Sequence, residues 1–265
     1  LGAETIKVES LRGDESRTNG PIVKGQSAYW VQYNSGKKSL AINLRTDKGK
    51  EVLRDLVKVS DVFLQNFRPG TIETMGFGYD VLEKLNPRIV MVNVSAYGQY
   101  GPYRDRVGFD PIGQAMGGLL SVLTDMDDPK PMGISLSDHL AGIMAAHGIL
   151  GALVARERTG RGQRVETSLL ASTLGLLGEN AARFFEDGEV PRRNTRTRTA
   201  LVFAFVAGDG KPFVIHLSSP PKFWAGLCRT IGREDWIDDE RFRTKDDRRA
   251  HYDELETGLA GIFAT

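Results

Sequence analysis

At 265 residues, 40% hydrophobic and 26% charged, the chain has an ordinary globular composition and enough length for a substantial core, in one large domain or two unequal ones. A formal charge of +1 argues against a broad nucleic-acid face and leaves room only for a local basic patch, such as one for a phosphorylated small molecule. One cysteine, Cys228, excludes a disulfide framework and a cysteine-based zinc cluster. No uninterrupted apolar run reaches the roughly 18 residues of a membrane span and nothing resembles a signal peptide, so a cytoplasmic protein without membrane partners is expected.

Thr5–Glu9 alternates like a short strand, and a polar, glycine-containing loop runs on through Gly25. Ser39–Leu44 is a second strand, and Thr46–Val59 an amphipathic helix with Val52, Leu53, Leu56 and Val57 on one face. Val62–Gln65 is a short apolar strand closed by the turn Asn66-Phe67-Arg68-Pro69-Gly70. A brief helix at Tyr79–Leu85 stops at Asn86-Pro87, and Ile89–Val94 is the next strand. Strands alternating with helices imply parallel pairing in an open α/β sheet, with ligands outside the carboxyl ends of the strands. Asn66–Gly70 and Ser95–Gly101 would then lie at the ligand edge, although composition alone favours reading them as simple turns.

Pro111–Leu123 is expected to be helical across Gly117-Gly118, and Asp125–Lys130 a polar loop. A long apolar helix follows, in which Leu140, Ile143, Met144, His147, Leu150 and Val154 keep helical spacing and predict a buried stripe, with His147 a core histidine. Gly160 and Gly162 end it, and Arg156, Arg158 and Arg161 suit its C-terminal dipole. Gln163–Ser168 is another strand and Leu169–Phe185 another helix. Beyond Gly188 the basic stretch Arg192–Arg198 reads as linker, and a hairpin around Gly208-Asp209-Gly210 opens a smaller α+β region with helices near Pro221–Ile231 and from Asp246 onward. The domain reading is therefore 1–188 for the large domain, 189–198 for a linker and 199–265 for part of a small domain.

No G-x-S-x-G elbow, P-loop or H-E-x-x-H motif is present, and Gly160-x-Gly162 precedes a strand instead of following one. His139, His147, His216 and His251 have no metal-ligand spacing, so no metal is expected. Asp138, at the head of the long helix, has two readings. It is a cap or dipole partner, or an ionised carboxylate, stabilised there, that acts as a nucleophile without a partner base. The residues alone do not separate them.

Six stretches in order resemble the class III CoA-transferase family, the group of formyl-CoA transferase and the carnitine CoA-transferases. They are LGAETIKVES at Leu1–Ser10, NSGKKSLAINLRTDKGKEVL at Asn34–Leu53, and DVFLQNFRPGTIETMGFGYDVLEKLNPRIV at Asp61–Val90. SAYGQYGP at Ser95–Pro102, GFDPIGQAMGG at Gly108–Gly118, and SDHLAGIMAAHGILGALVARERTGRGQRVETSLL at Ser137–Leu170 complete the set. The resemblance implies a Rossmann-like parallel-sheet domain lacking its first strand and helix, part of a smaller α+β domain, and an interlocked homodimer. The sequence is accordingly expected to be a piece of a longer polypeptide.

The resemblance also implies chemistry: coenzyme A passes from an acyl-CoA donor to a carboxylic acid, with acyl-CoA and acid as substrates and no tightly bound cofactor or metal. Asp138 matches the nucleophile that forms an aspartyl anhydride and then an aspartyl-CoA thioester. The CoA contacts map onto Ile42, Asn43, Leu44 and Arg45, onto Asn66, Phe67 and Arg68, and onto Val107, Gly108, Phe109 and Asp110. Two family arginines are replaced by Ser10 and Thr74, with Arg12, Lys37 and Lys38 as candidates to compensate, and the glycine-rich lid of the formyl-CoA branch has no counterpart after Pro212. The related α-methylacyl-CoA racemases carry G-H-D where this chain has Gly108-Phe109-Asp110, and phenylalanine carries no proton, so racemisation is disfavoured. A catalytically silent CoA-binding protein is the third reading.

Overall fold

A computed structural model describes residues 2–217 and 221–265. They form two compact units, one of Leu1–Asp110 with Leu136–Ser172 and one of Pro111–Ser135 with Thr173–Thr265.

In the first unit, β1 (Ile6–Glu9) is followed by the short antiparallel pair β2 (Ile22–Val23) and β3 (Gln26–Ser27), helix α1 (Ala28–Asn34) and strand β4 (Lys38–Ala41), which pairs in parallel with β1. Helix α2 (Asp47–Lys58), strand β5 (Val62–Gln65), helices α3 (Thr71–Thr74) and α4 (Tyr79–Leu85) and strand β6 (Val90–Ser95) come next. Across the second unit's first segment, α5 (Asp110–Met116) and α6 (Leu119–Leu123) lead to α7 (Leu136–Thr159) and β7 (Arg164–Ser168). β5, β6 and β7 form one parallel sheet in that order. The parallel pairing expected from alternating strands and helices is therefore present.

β6 is the central strand, and the consecutive apolar residues Val90, Met91 and Val92 follow from burial on both faces. Met91, together with Ile89 just before the strand, packs with Leu53 and Val57 of α2 and with Ile72, Phe77 and Leu82, while Val90 and Val92 pack with Ala145 and Ala152 of α7. α2 is set by its ends: the Thr46 hydroxyl accepts the Gly49 N–H at 3.2 Å, and Asn86 Nδ2 donates to the carbonyls of Val57 and Ser60. Val52, expected on its buried face, is exposed.

The long helix turns a different face inward from the one its hydrophobic spacing predicts. Ser137, Ala141, Ala145, Ala152 and Arg156 are buried, whereas Ile143, Met144, Leu150 and Val154 are 52%, 40%, 47% and 59% exposed and His147 is exposed. Close approach to the sheet requires small residues: a Cβ on Gly148 would lie 2.5 Å from Val165 Cγ1. The bulky apolar residues are consequently displaced to the outer face. At 24 residues, with a best-window mean hydropathy of 1.4, α7 is also long and apolar enough to cross a membrane, by length and composition only. A sheet-packed helix of a soluble protein meets the same test, and Ala145, Ile149, Ala152 and Leu153 do pack on the sheet.

The second unit holds α5 beyond Asp110, then α6, α8 (Leu169–Leu176) beyond Ser172, α9 (Gly178–Asp187), α10 (Thr195–Ala200), the antiparallel hairpin of β8 (Val202–Val206) and β9 (Pro212–His216), and helices α11 (Pro221–Thr230), α12 (Lys245–Ala250) and α13 (Tyr252–Phe263). Gly118, at φ +80°, breaks the single helix expected over Pro111–Leu123, and Gly117 leaves no room for a side chain against Thr173. The helix expected over Leu169–Phe185 is interrupted at Leu177, and part of the basic stretch is helical as α10. Around the hairpin Phe203, Phe205, Trp224, Trp236, Phe242, Tyr252, Leu255 and Leu259 form an aromatic-rich core. Cys228 is buried within it, and burial pushes its thiol up to about 11.

Candidate functional site

Arg156, buried near the C-terminal end of α7, donates to Arg88 O at 3.1 Å and to Asp61 Oδ1 at 2.9 Å. Both acceptors lie just before a strand, Asp61 before β5 and Arg88 before β6. The Gly162 N–H donates to Pro87 O at 2.9 Å, tying the exit of the helix to the same edge. With its C-terminal end anchored at the amino edge of the sheet, α7 runs antiparallel to the strands. Its first turn, bearing Asp138, therefore stands at the carboxyl edge.

Asp138 is exposed at this helix head, and its own N–H donates to Asp110 Oδ1 at 3.1 Å. Asp110 is only 7% exposed. Asp110, twenty-eight residues upstream, thus satisfies one of the first-turn N–H groups of the helix. Desolvation, and then the neighbouring Asp110 charge, hold the Asp138 carboxyl above its ordinary 3.8, with His139 acting weakly the other way. The sequence reading had the helix head favouring the ionised form; here the desolvation and like-charge effects outweigh it. A carboxylate raised in this way is more basic and a better nucleophile wherever it is ionised.

The loops matched to CoA contacts leave the carboxyl ends of strands. After β5, Asn66, Phe67 and Arg68 are exposed, and their turn is braced from beneath: Gln65 Oε1 accepts the Phe67 N–H at 2.6 Å while Gln65 Nε2 donates to Asn93 Oδ1 at 2.8 Å. Gly70, at φ +85°, opens α3, and the Arg104 guanidinium comes within 3.7 Å of where its Cβ would be. After β6, Val107 and Phe109 are 52% and 74% exposed. Gly108 lies against Ala96 and Tyr97, where a Cβ would come to 2.7 Å of the alanine methyl. Asp110, the last of this group, is buried and bonded to the head of α7.

After β4, Ile42 and Leu44 are half-buried against the α2 core while Asn43 and Arg45 face solvent. Asn43 Oδ1 accepts the Arg45 N–H at 3.1 Å. Where two family arginines are missing, Ser10 and Thr74 bond locally, to Gly13 O and Thr71 O. Of the candidate substitutes, Lys38 pairs with Glu4 at 2.8 Å and Lys37 donates to Asn34 Oδ1 at 3.1 Å.

The residues overlooked by the sequence reading are on α1. Tyr29 and Tyr33, one turn apart, are in edge contact at 4.7 Å, and Tyr33 Oη lies 3.0 Å from His139 Nε2, the residue next to Asp138. Burial first, then Tyr33 and the Asp138 charge, raise the Tyr29 phenol. A signal did exist: Ser27, which caps α1 by accepting the Trp30 N–H at 3.0 Å, stands two residues before the first of two tyrosines at i, i+4 spacing.

The whole chain, residues 1–265, matches the family model described as CoA-transferase family III. It is 38% identical over 264 residues to acetyl-CoA:oxalate CoA-transferase of Acetobacter aceti, covering 98% of this chain and 67% of that protein. It is likewise 38% identical over 265 residues to succinyl-CoA–D-citramalate CoA-transferase of Chloroflexus aurantiacus, covering 98% of this chain and 66% of that one. Among solved structures, a CAIB/BAIF family protein from Brucella suis superposes with a TM-score of 0.86 at 32% identity, over 100% of this chain and 72% of the other. The chain spans about two thirds of the length of these curated relatives.

Proposed function

Because this chain belongs to CoA-transferase family III, we propose that the protein moves coenzyme A from an acyl-CoA donor to a carboxylic acid, with Asp138 as the nucleophile. The observation that carries this reading is the Asp110–Asp138 arrangement: a buried carboxylate accepts the N–H of a second, which stands at the carboxyl edge and is raised in basicity.

An Asp138 carboxylate oxygen attacks the donor thioester carbonyl; the C–S bond breaks and CoA thiolate leaves, giving an acyl-aspartyl anhydride. The thiolate attacks the aspartyl carbonyl and releases the donor's acid, leaving an aspartyl-CoA thioester. The acceptor carboxylate attacks that carbonyl, thiolate leaves again, and its attack on the acceptor's acyl carbon restores the Asp138 carboxylate. Each step exchanges one carbonyl substituent, so the thioester's energy is retained and no redox partner is required. CoA would run along the exposed Asn66–Arg68 and Val107–Phe109 loops, with Arg45 toward the nucleotide. Asp110 acts as a positioning residue.

Both curated relatives above are named for dicarboxylic acceptors, and a small acid is the acceptor class we infer here. A Rossmann-like frame and an interlocked homodimer belong to the same reading, and the outward apolar face of α7 suits cover by a second chain. Phe109, exposed where a racemase would need a proton carrier, gives racemisation no support.

The test is incubation of the full-length protein with acyl-CoA, followed by hydroxylamine trapping and peptide mapping. A hydroxamate at Asp138 is the expected result. Undiminished exchange in Asp138→Ala would overturn the mechanism, and CoA binding without exchange would point to a silent binder.

A further inference from the structure

We propose that Tyr33, held by His139, reads the far carboxylate of a dicarboxylic acceptor. The inference rests on the transferase reading above and deepens it. Tyr33 is 39% exposed, and its Oη lies 3.0 Å from His139 Nε2 across a separation of 106 residues, so two remote parts of the chain meet beside the nucleophile. The rings are 5.8 Å apart, and Tyr29 braces Tyr33 from one turn away.

When the acceptor arrives, Asp138 is esterified to CoA and has lost its charge, but the Asp110 carboxylate beneath it still repels an incoming anion. An acceptor acid therefore needs a hydrogen-bond donor to orient it. If the His139 Nε2–H donates to the phenolic oxygen, the Tyr33 proton is left free to point at substrate, and the donated bond makes that phenol a stronger donor.

The placement selects the class of acid. Tyr33 Oη meets the ring of His139, the residue after Asp138, and successive side chains of a helix diverge, so the phenol stands to one side of the nucleophile. A donor placed there suits a second carboxylate on the acceptor molecule, beside the one that attacks.

The experiment compares glutarate with pentanoate, which has the same chain length but lacks the far carboxylate, using acetyl-CoA as donor and the full-length protein. The wild type is expected to prefer glutarate in kcat/KM. Tyr33→Phe, nearly isosteric, should reduce that preference about 10- to 100-fold, the range for losing a hydrogen bond to a charged group, with the loss in KM for glutarate and not in KM for acetyl-CoA. His139→Leu should do the same, while His139→Gln, which returns an N–H near the Nε2 position, should recover part of the preference. A glutarate-to-pentanoate ratio unchanged in Tyr33→Phe, or a wild type that prefers pentanoate, overturns the inference while leaving CoA transfer intact. A wild type that exchanges CoA with no acid at all overturns the transferase reading, and this inference falls with it.

Discussion

Asp110 Oδ1 accepts the backbone N–H of Asp138 at 3.1 Å, so one carboxylate caps the helix that carries the other. The arrangement does two things at once. It satisfies an orphan donor of the first turn, and it places a buried negative charge beside the proposed nucleophile, which makes that group harder to ionise.

Asp110→Asn separates the two effects, because the amide oxygen still accepts the N–H but the charge is gone. Asp138 acts ionised, and its carboxyl is held above 3.8 by desolvation first and by Asp110 second. Activity therefore falls as pH drops through this raised value. Removing the Asp110 charge moves the acid limb of the kcat/KM profile to lower pH, and the remaining desolvation keeps it from returning fully. Asp110→Ala should in addition lose about 1 kcal/mol of stability as the cap disappears. An acid limb that stays in place in Asp110→Asn contradicts the assignment.

Asp138→Asn should abolish exchange, by about 10³-fold or more, and at neutral pH it should raise the melting temperature. The sign follows from linkage. A carboxyl raised in the folded state binds its proton more tightly there than in the unfolded chain, so its contribution to stability is full below the unfolded value and is lost as pH rises through the folded one. Asparagine removes that loss. The gain over wild type should shrink as melts are repeated toward pH 3, and a gain independent of pH would rule out this cause.

The strands of this fold were legible because burial leaves a direct mark on sequence. Ile89–Val94 is apolar except for Asn93, and it is the strand with helices on both faces. The inward face of α7 left the opposite mark: close packing on a sheet selects Ala141, Ala145, Gly148 and Ala152, so a reading that follows the largest apolar side chains finds the outer face. Asp138 was visible as a helix-head acid, and the six matching stretches gave it a role. Its partners were not, because Asp110 reaches it over 28 residues and Tyr33 reaches its neighbour over 106. No local spacing encodes such contacts; they arise only when the crossover brings the loop ends together.

Gln65 supports the Asn66–Arg68 turn from below, and Gln65→Leu tests whether that turn holds CoA. The substitution leaves Asn93 Oδ1 and the Phe67 N–H without their partner. Asn93 is 2% exposed, so the orphaned group should cost about 1–3 kcal/mol in urea denaturation. If the turn carries pantetheine, KM for acyl-CoA rises several-fold while KM for the acid stays put; a rise in both would indicate general loosening instead.

The outer face of α7 makes the last prediction. Ile143, Met144, Leu150 and Val154 present large apolar surface from one helix, and such surface marks a site of protein or membrane contact. If a second chain provides the cover, the full-length protein sediments as a dimer, and Leu150→Arg, placing a charge at the centre of the face, shifts it toward monomer or aggregate. Because Leu150 points away from the sheet, the fold of the unit itself should survive, with circular dichroism close to wild type. A dimer unaffected by Leu150→Arg, or a wild-type monomer, would mean that this face is covered by something other than a second copy of the chain.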